Sequence, residues 1–357
     1  MATITLPDYD VRVEPGVLDD GGAAIRAVAA AHRYVIITDT NVGPIYAARL
    51  ADALGSTGVV ELRAPAGEGS KSRERWSALT DRMLDAGCGR DTTVIALGGG
   101  VIGDLAGFVA ATFMRGVPVV QIPTSLLAMV DASVGGKTGV DTPAGKNLVG
   151  AFHQPAMVLV DPRVLASLPA AELRAGAAEI LKHGAIADAE HFEEARRALP
   201  RLLGDASDDG WTPLIARSIE IKASVVRRDP RERDLRKILN FGHTLGHAIE
   251  SATDFRLRHG HAVAIGMVLE SRLAERIGVA ESGTAARILE GVRAAELPTE
   301  RPADVERRRL VDATHSDKKS RRGHTEYALP ARVGEMAAGD GGWTIRVSDQ
   351  MVLEILE

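Results

Sequence analysis

The feature that most restricts the fold of this chain is a regular alternation, in its first half, of short apolar runs with Ala-rich helical segments. The apolar runs cover residues 34–38, 59–62, 92–97 and 119–122. Apolar strands that alternate with helices are typical of an open, mainly parallel α/β sheet. Ligands of such a sheet lie beyond the carboxyl ends of its strands.

After about residue 165 the pattern changes to longer segments, rich in Ala, Leu, Glu and Arg, with helical spacing. These segments are 171–203, 212–228, 240–252, 261–277 and 282–295. A chain of 357 residues is too long for one ordinary core, so we expect two domains. The sequence predicts an α/β domain over 1–161 and a mostly helical domain over 162–357, with the boundary near Asp161-Pro162.

A glycine motif follows the third apolar run. Residues 98–103, Gly-Gly-Gly-Val-Ile-Gly, match the dinucleotide fingerprint G-x-G-x-x-G between a predicted strand and a predicted helix. Glycine lets the backbone approach a pyrophosphate, and a helix N-terminus favours its negative charge. No acidic residue stands about twenty positions further on to bind the ribose, although Asp39 could do so from the end of an earlier strand. A purely structural tight turn is the alternative.

A second glycine-rich stretch, residues 133–138, imitates a phosphate-binding P-loop. The P-loop pattern requires glycine at position 131, where this chain has Asp131, so that motif is excluded. Lys137 and Lys146 nevertheless lie in this stretch, just after a predicted strand end. They either bind a phosphate group or are solvated lysines beside a glycine turn.

Four of the ten histidines lie within residues 243–261, at positions 243, 247, 259 and 261. Such a cluster indicates a metal site or an acid–base site. His243 and His247 are four residues apart and would share one helix face. The metalloprotease motif needs Glu after the first of these histidines, and Thr244 excludes it.

Further candidates for this site come from elsewhere in the chain. Glu179 lies in an apolar helical segment, where it is either a metal ligand or a helix-surface carboxylate. Upstream of the histidines, a basic run contains arginines 227, 228, 231 and 233, which fit a solvated face. Arg236 and Asn240 precede His243 at helical spacing, so their side chains could reach the same pocket.

Charge and composition exclude several classes of protein. The net charge is −5 and aromatic residues make up 4% of the chain, which argues against nucleic-acid and membrane-surface partners. The single cysteine, Cys88, permits no intrachain disulfide, as is usual in a reducing compartment. The N-terminus resembles no signal peptide and no run of 18 apolar residues occurs, so we expect a cytoplasmic protein.

Several motifs together resemble the 3-dehydroquinate synthase family of sugar phosphate cyclases. They occur in the family's order between residues 34 and 330 and are Gly67-Glu68-Gly69-Ser70-Lys71-Ser72, Gly98-Gly99-Gly100-Val101-Ile102-Gly103-Asp104, Val130-Asp131-Ala132-Ser133-Val134-Gly135-Gly136-Lys137-Thr138, Gly145-Lys146-Asn147, Ala178-Glu179-Ile180-Leu181-Lys182, the run 236–247, His259-Gly260 and Asp317-Lys318-Lys319. The resemblance implies a nucleotide-binding α/β domain, a helical metal-binding domain, an active site between them and a homodimer.

The resemblance assigns roles to individual residues. It implies zinc, with cobalt as a possible substitute, on Glu179, His243 and His259, whereas spacing alone would pair His243 with His247. The implied NAD contacts are Asp39, Glu68, Lys71, Gly99, Gly100, Val101, Gly103, Asp104, Thr124, Ser125, Lys137 and Lys146. The implied catalytic residues are His247, Lys137, Asn147, Lys182, Lys222, Glu232, Arg236 and Asn240. The implied substrate contacts are Asp131, Lys137, Lys146, Asn147, Lys182, Lys222, Glu232, Arg236, Asn240 and either Lys318 or Lys319, with Arg115 reaching the neighbouring subunit's site.

The implied reaction converts 3-deoxy-arabino-heptulosonate 7-phosphate into 3-dehydroquinate and phosphate. NAD takes a hydride, phosphate is eliminated, the hydride returns, and an intramolecular aldol step closes the ring. Another sugar phosphate cyclase, forming an amino-dehydroquinate or a valiolone-type ring, is the nearer alternative, although Asn240 and His247 favour dehydroquinate over valiolone. A metal-dependent polyol dehydrogenase and an inactive homologue are more distant. The chain departs from the family at His261, where Glu is usual, and at Leu245, where Phe is common.

Overall fold

The computed structural model describes residues 1–55, 58–315, 325–340 and 342–356, which form two compact units, Met1–Leu168 and Pro169–Glu357. This division falls later than the boundary predicted at Asp161-Pro162. The turn Pro162–Ser167 belongs to the first unit because Tyr46 Oη donates to Ser167 Oγ over 2.8 Å. The carboxylate of Asp161 also accepts the backbone N–H of Gly16.

The first unit is built on a mainly parallel sheet covered by helices. Its strands are β1 (Ala2–Thr5), β2 (Asp10–Val13), β3 (Arg33–Asp39), β4 (Val59–Ala64), β5 (Thr92–Gly98), β6 (Val119–Pro123), β7 (Lys137–Thr142), β8 (Gly145–Phe152) and β9 (Met157–Val160). Its helices are α1 (Val17–Asp20), α2 (Gly22–Val28), α3 (Gly43–Ala53), α4 (Arg73–Asp85) and α5 (Gly100–Thr112). Among the described residues, the sheet has seven strands in the order β1-β2-β9-β6-β5-β3-β4, and only the β1–β2 pair is antiparallel.

The predicted parallel sheet is therefore confirmed, and each of the four apolar runs is one of its strands, β3, β4, β5 or β6. Strand β5 is buried along its whole length, as expected for a strand covered on both faces. The glycine-rich stretch after β6, for which a glycine turn was one of two alternatives, forms a turn over 133–135 and then continues into an antiparallel hairpin, β7–β8. Lys137 begins the first strand of this hairpin and Lys146 lies at the start of the second.

The second unit is mostly helical, as predicted. Its helices are α6 (Ala170–Ala187), α7 (Ala189–Leu202), α8 (Trp211–Arg228), α9 (His243–Ala252), α10 (His259–Arg276), α11 (Thr284–Ala294), α12 (Arg307–His315) and α13 (Asp349–Ile355). Four short strands form two small antiparallel pairs: β10 (Thr325–Tyr327) with β13 (Ile345–Val347), and β11 (Pro330–Arg332) with β12 (Glu335–Met336). In the described part of the chain, no helix is both long and apolar enough to cross a membrane.

Two predicted helices have different bounds. The segment 171–203 is broken at Asp188, which leaves helical geometry and accepts the N–H of His191 to cap α7. The segment 240–252 becomes helical only at His243, because Gly242 adopts a left-handed φ of 77°. Arg236 and Asn240 lie before this break, on the separate 3₁₀ turn Leu235–Asn240, so the predicted helical spacing to His243 is wrong.

Candidate active site

The glycine motif of the first unit lies where a dinucleotide-binding turn requires it. Strand β5 ends at Gly98 and helix α5 begins at Gly100. A Cβ added to Gly103 would lie 3.0 Å from the Gln121 side chain, whose amide also donates to the Gly103 carbonyl. Glycine at this position therefore allows the helix to pack closely on the sheet, and the first-turn N–H groups of α5 are available to an anion.

Two other predicted cofactor contacts lie at the same edge of the sheet. Asp39 ends β3 and the backbone N–H of Thr124 donates to the Gly98 carbonyl over 2.9 Å. Strands β3 and β6 flank β5 and run parallel to it, so their carboxyl ends meet beside the glycine turn. The Asp39 carboxylate accepts the N–H of Asn41 and of Val42, which fixes its position after the strand.

The loop before α4 and the β7–β8 hairpin bring further charged side chains together. Lys71 is almost fully buried and pairs with Asp104 of helix α5. Burial lowers the pKa of Lys71, but the adjacent Asp104 carboxylate outweighs it and leaves that pKa above its ordinary value. Glu68 Oε1 lies 3.8 Å from Lys146 Nζ. Four predicted cofactor contacts, from three separate motifs, thus lie in neighbouring ion pairs within one unit.

The hairpin is tied to this loop through Asp141. Its backbone N–H donates to the Lys71 carbonyl, and its carboxylate accepts the N–H of Asn147 over 2.8 Å. Asn147 adopts a left-handed φ of 56°, a conformation that asparagine tolerates better than most residues. The hydrogen bonds from Asp141 therefore hold the end of the hairpin that carries two predicted substrate contacts, Lys146 and Asn147.

The other predicted substrate contacts of the first unit lie on separate elements. Asp131 is half-buried in the π-helical turn Ala128–Ala132, and Lys137 is exposed at the start of β7. Arg115 is exposed and has a left-handed φ of 71°, next to Met114 with a φ of 51°. Such backbone angles are uncommon outside glycine and fix the direction in which the Arg115 side chain leaves the chain.

In the second unit, the histidines of the predicted metal site converge on one carboxylate. Nε2 of His243 lies 3.7 Å from Oε1 of Glu179, and Nε2 of His259 lies 3.9 Å from the same oxygen. One ring nitrogen of His247 lies within 4.8 Å of those of His243 and His259. These residues come from α6, α9 and α10, so the site depends on how three helices pack.

The hydrogen bonds of Nδ1 in His243 and His259 determine which ring nitrogen of each faces the Glu179 carboxylate. Nδ1 of His243 lies 3.2 Å from the Phe241 carbonyl, and Nδ1 of His259 lies 3.1 Å from the Glu250 carboxylate. Both partners are acceptors, so each Nδ1 carries the proton. In the neutral rings, the Nε2 lone pairs therefore face Glu179, as metal ligation requires.

Burial of Glu179 also fits a cation site. This side chain is fully buried, its Oε2 is paired with Lys182, and its Oε1 accepts no hydrogen bond. A buried carboxylate needs a compensating positive charge. Zinc binds nitrogen and carboxylate oxygen at about 2.0–2.2 Å, so two ligands of one ion lie within about 4 Å of each other. The separations to His243 and His259 satisfy that limit.

The three histidines of the cluster differ in exposure. His243 is buried, His259 is half-buried and His247 is exposed. Burial lowers the pKa of His259, but its hydrogen bond to Glu250 and the charges of Glu250 and Glu179 raise it above its ordinary value overall. The solvent-accessible ring of His247 is suited to exchange protons, whereas the more buried rings of His243 and His259 are suited to bind a metal.

His261 lies apart from this cluster although it is only two residues beyond His259. It is in the first turn of α10, where two residues correspond to about 200° of rotation. Burial and the charge of Arg258 lower the pKa of His261. His261 is not part of the group of ring nitrogens that His243, His247 and His259 form among the described residues, and we predict that it is not a ligand.

The loop before α9 holds the predicted substrate residues Glu232, Arg236 and Asn240. Arg236 is 2% exposed, unlike its exposed neighbours at 227, 228, 231 and 233, so its predicted distinction from the solvated basic run is confirmed. Its guanidinium donates to the Pro230 carbonyl over 2.8 Å. Asn240 donates to the Glu232 carboxylate over 3.1 Å, and Glu232 has a left-handed φ of 54°.

Asp229, which the sequence analysis did not single out, organises this loop. Its carboxylate accepts the backbone N–H of Arg233, Asp234 and Arg236 at 2.8–3.0 Å. Burial raises the pKa of Asp229, yet these three hydrogen bonds outweigh it and lower that pKa. An Asp just after a helix and before a Pro was the available signal, because such residues often accept nearby N–H groups.

Two predicted cations remain. Lys222 is 5% exposed on α8 and is buried like Lys182 and Arg236 of the same unit. Buried cations of this kind are retained where they meet anionic partners. Lys318 and Lys319, the last predicted substrate contacts, lie outside the described residues.

Two protein-family models together match most of the chain. Residues 61–175 match the model described as 3-dehydroquinate synthase N-terminal, and residues 176–320 match 3-dehydroquinate synthase C-terminal. A 3-dehydroquinate synthase from Symbiobacterium thermophilum is 45% identical over 336 residues, which are 92% of this chain and 92% of that protein.

Solved structures of two sugar phosphate cyclases are also similar. A 2-deoxy-scyllo-inosose synthase complexed with carbaglucose-6-phosphate, NAD+ and Co2+ has a TM-score of 0.91 and 26% identity, over 99% of this chain and 98% of that one. The 2-epi-5-epi-valiolone synthase of Streptomyces hygroscopicus, with NAD+ and Zn2+ bound, has a TM-score of 0.86 and 30% identity, over 100% and 98%.

Proposed function

The chain belongs to the 3-dehydroquinate synthase family and is an enzyme of this type, and we propose that its second unit holds one divalent metal ion on Glu179, His243 and His259. The observation that carries the proposal is the convergence of two Nε2 atoms on Oε1 of a fully buried carboxylate, at 3.7 and 3.9 Å. The ion is zinc, with cobalt able to replace it. The similar cyclases with Zn2+ or Co2+ bound support this choice.

NAD binds to the first unit. The glycine turn at the start of α5 accepts the pyrophosphate, and Asp39 and Thr124 lie at the neighbouring strand ends. Lys71 is held by Asp104, and Glu68 lies near Lys146. The NAD+ bound in both similar cyclases supports this assignment.

The two bound groups supply different chemistry: NAD is a reversible hydride acceptor, and the metal ion is a Lewis acid. The protein must then bind the substrate alcohol and accept its proton. His247 has the exposure needed for that proton, and its ring centre lies 5.3 Å from that of His243. A general base must lie within hydrogen-bond reach of the proton it takes, and His247 adjoins the ligands that position the alcohol.

The cationic side chains bind the carboxylate and phosphate of the substrate. Lys182, Lys222 and Arg236 are buried in the second unit, where an anion is bound more strongly than at the surface. Lys137, Lys146 and Asn147 are carried by the hairpin of the first unit, and Asp131 by the turn before it. Charge-assisted hydrogen bonds of this kind position a substrate and stabilise a leaving phosphate.

The substrate is 3-deoxy-arabino-heptulosonate 7-phosphate and the product is 3-dehydroquinate. Asn240 and His247 favour this product over a valiolone-type ring, and the curated relative at 45% identity supports it. The homodimer, the reach of Arg115 into the neighbouring subunit's site and the cytoplasmic location stay predictions.

Phosphate release tests the proposal. Purified protein, stripped of nucleotide and reloaded with zinc and a trace of NAD, is expected to release phosphate from the heptulosonate phosphate over many turnovers without accumulating NADH. A metal-dependent polyol dehydrogenase would instead accumulate NADH in proportion to product. Stoichiometric NADH formation, or phosphate release that needs no NAD, would overturn the cyclase proposal.

A further inference from the structure

Helices α9 and α10 approach each other unusually closely beside the histidine cluster. A Cβ added to Gly266 of α10 would lie 2.0 Å from the Gly242 carbonyl, a distance that no side chain tolerates. Only glycine at position 266 therefore lets the two helices come this near. The close approach allows a side chain on either helix to bond groups on the other.

A carboxylate on α9 bonds a histidine on α10. Glu250 is 5% exposed, and its Oε2 accepts Nδ1–H of His259 over 3.1 Å. Glu250 is three residues after His247 on the same helix, so it shares the helix face that the cluster occupies. The bond fixes both the tautomer and the rotation of the His259 ring.

A second carboxylate makes the opposite connection, from α10 to α9. Glu270 is fully buried, and its two oxygens accept the backbone N–H of Gly242 over 2.6 Å and of Leu245 over 3.0 Å. These N–H groups belong to the start of α9, where the helix leaves them without internal partners. Glu270 thereby fixes the position of His243, which lies between the two residues it bonds.

We propose that Glu250 and Glu270 are positioning residues for the metal site, each on one helix and each fixing a histidine ligand on the other. Glu250 orients His259 so that Nε2 faces Glu179. Glu270 anchors the first turn of α9 so that Nε2 of His243 faces the same oxygen. This inference rests on the proposed metal site and adds the contacts that determine where two of its ligands lie.

Outer carboxylates that hold a ligating histidine typically change metal affinity by 10–100-fold when removed. Two such contacts here act on different ligands. The loss of either should therefore weaken metal binding by at least ~10-fold, without removing any atom that touches the metal. A purely structural role would change only the stability of the helix pair.

The experiment compares Glu250→Ala, Glu250→Gln and Glu270→Gln with Glu275→Gln as the control. Glu275 also lies on α10 and accepts a backbone N–H at the start of a neighbouring helix, that of Ala285 over 2.9 Å. Glu275 therefore makes the same kind of contact as Glu270, but with the start of α11 instead of the start of α9. Zinc affinity is measured by competition with a chromophoric chelator. The His259 tautomer is measured by ¹⁵N NMR in metal-free protein, at a pH where the ring is neutral.

We expect that His259 no longer favours the Nδ1–H tautomer in Glu250→Ala. The same variant should bind zinc at least ~10-fold more weakly than wild type. Glu250→Gln should recover part of both, since its amide oxygen still accepts from Nδ1–H. Glu270→Gln should weaken zinc binding and Glu275→Gln should not. Unchanged affinity and tautomer in Glu250→Ala would overturn the proposal. If wild-type protein bound no zinc, the metal site itself would be wrong, whereas the tautomer of metal-free protein would still decide the role of Glu250.

Discussion

Oε1 of Glu179 lies 3.7 Å from Nε2 of His243, inside the helical unit. Oε1 of Glu179 accepts no hydrogen bond, although the side chain is fully buried. A carboxylate in that state is costly unless positive charge surrounds it. Lys182 provides one such charge, and a metal ion shared with His243 would provide another. Burial of this one carboxylate therefore explains why the histidines gather where they do.

Arg236 is predicted to bind a substrate oxyanion, so Arg236→Ala should lower kcat/KM by at least ~10-fold, since a charge-assisted contact contributes about 1.5–3 kcal/mol. Steady-state kinetics with the heptulosonate phosphate measure this. Arg233→Ala is the matched control, because Arg233 lies on the same loop, is exposed and contacts Asp229 through its backbone N–H. Activity of Arg236→Ala within twofold of wild type would show that this arginine only supports the loop.

His261→Glu should keep its metal. The new carboxylate would lie in the first turn of α10 and near Arg258, where negative charge is favoured by the helix dipole and by the arginine. Elemental analysis should therefore give the wild-type metal content, and thermal unfolding an unchanged or higher midpoint. A variant that purified without metal would identify His261 as a ligand.

His191 should make the protein less stable in acid. Burial lowers the pKa of His191 from 6.5 to about 4, the charges of His183 and Arg217 act in the same direction, and the opposing charge of Asp188 contributes less than burial. The folded chain keeps this ring neutral, whereas the unfolded chain protonates it below about pH 6.5. The unfolded state then binds more protons, so stability falls as pH falls from about 6.5 towards 4.

The variant that tests this is His191→Leu, because neither ring nitrogen of the buried His191 has a hydrogen-bond partner to lose. Between pH 7 and pH 5, its free energy of unfolding should fall by about 2 kcal/mol less than that of wild type. Denaturant titrations at the two pH values measure the difference. His32→Leu, at an exposed histidine, is the control. Equal pH dependence in His191→Leu and wild type would show that burial does not hold this ring neutral.

The buried strands were predictable because each contains a continuous run of apolar residues, as 94–97 illustrates. The hairpin Lys137–Thr142 with Gly145–Phe152 was not, since glycine and charged side chains in short strands resemble a loop. Its register depends on contacts with α5 and on Asp141, which lies far from its partner Lys71 in sequence. The helix break at Asp188 was also missed, although Asp is a common N-cap.

The candidate site shows the same division between local and distant information. Spacing alone brought His243 and His247 together, because residues four apart on a helix are neighbours. It could not bring in Glu179 or His259, since their contacts depend on the packing of α6 and α10 against α9. The histidine cluster and the apolar helix made both residues candidates, and family resemblance assigned them as ligands. Glu250 and Glu270 carried no recognisable sequence signal, because the sequence does not distinguish a buried glutamate in a helix from an exposed one.

The assignment of the ligands is the central claim, and spacing and family resemblance favour different partners for His243. If Glu179, His243 and His259 bind the metal, replacing any of them with Ala should remove metal and activity together. His247 would then move protons without holding the ion, so His247→Ala should lose turnover and keep its metal.

Metal content of purified His247→Ala and His259→Ala, measured side by side by elemental analysis after identical zinc loading, tests this most directly. We expect one zinc ion per chain in His247→Ala and none in His259→Ala, with both variants folded by circular dichroism. A metal-free His247→Ala together with a fully loaded His259→Ala would contradict the account, and would make the i, i+4 pair His243 and His247 the true ligands.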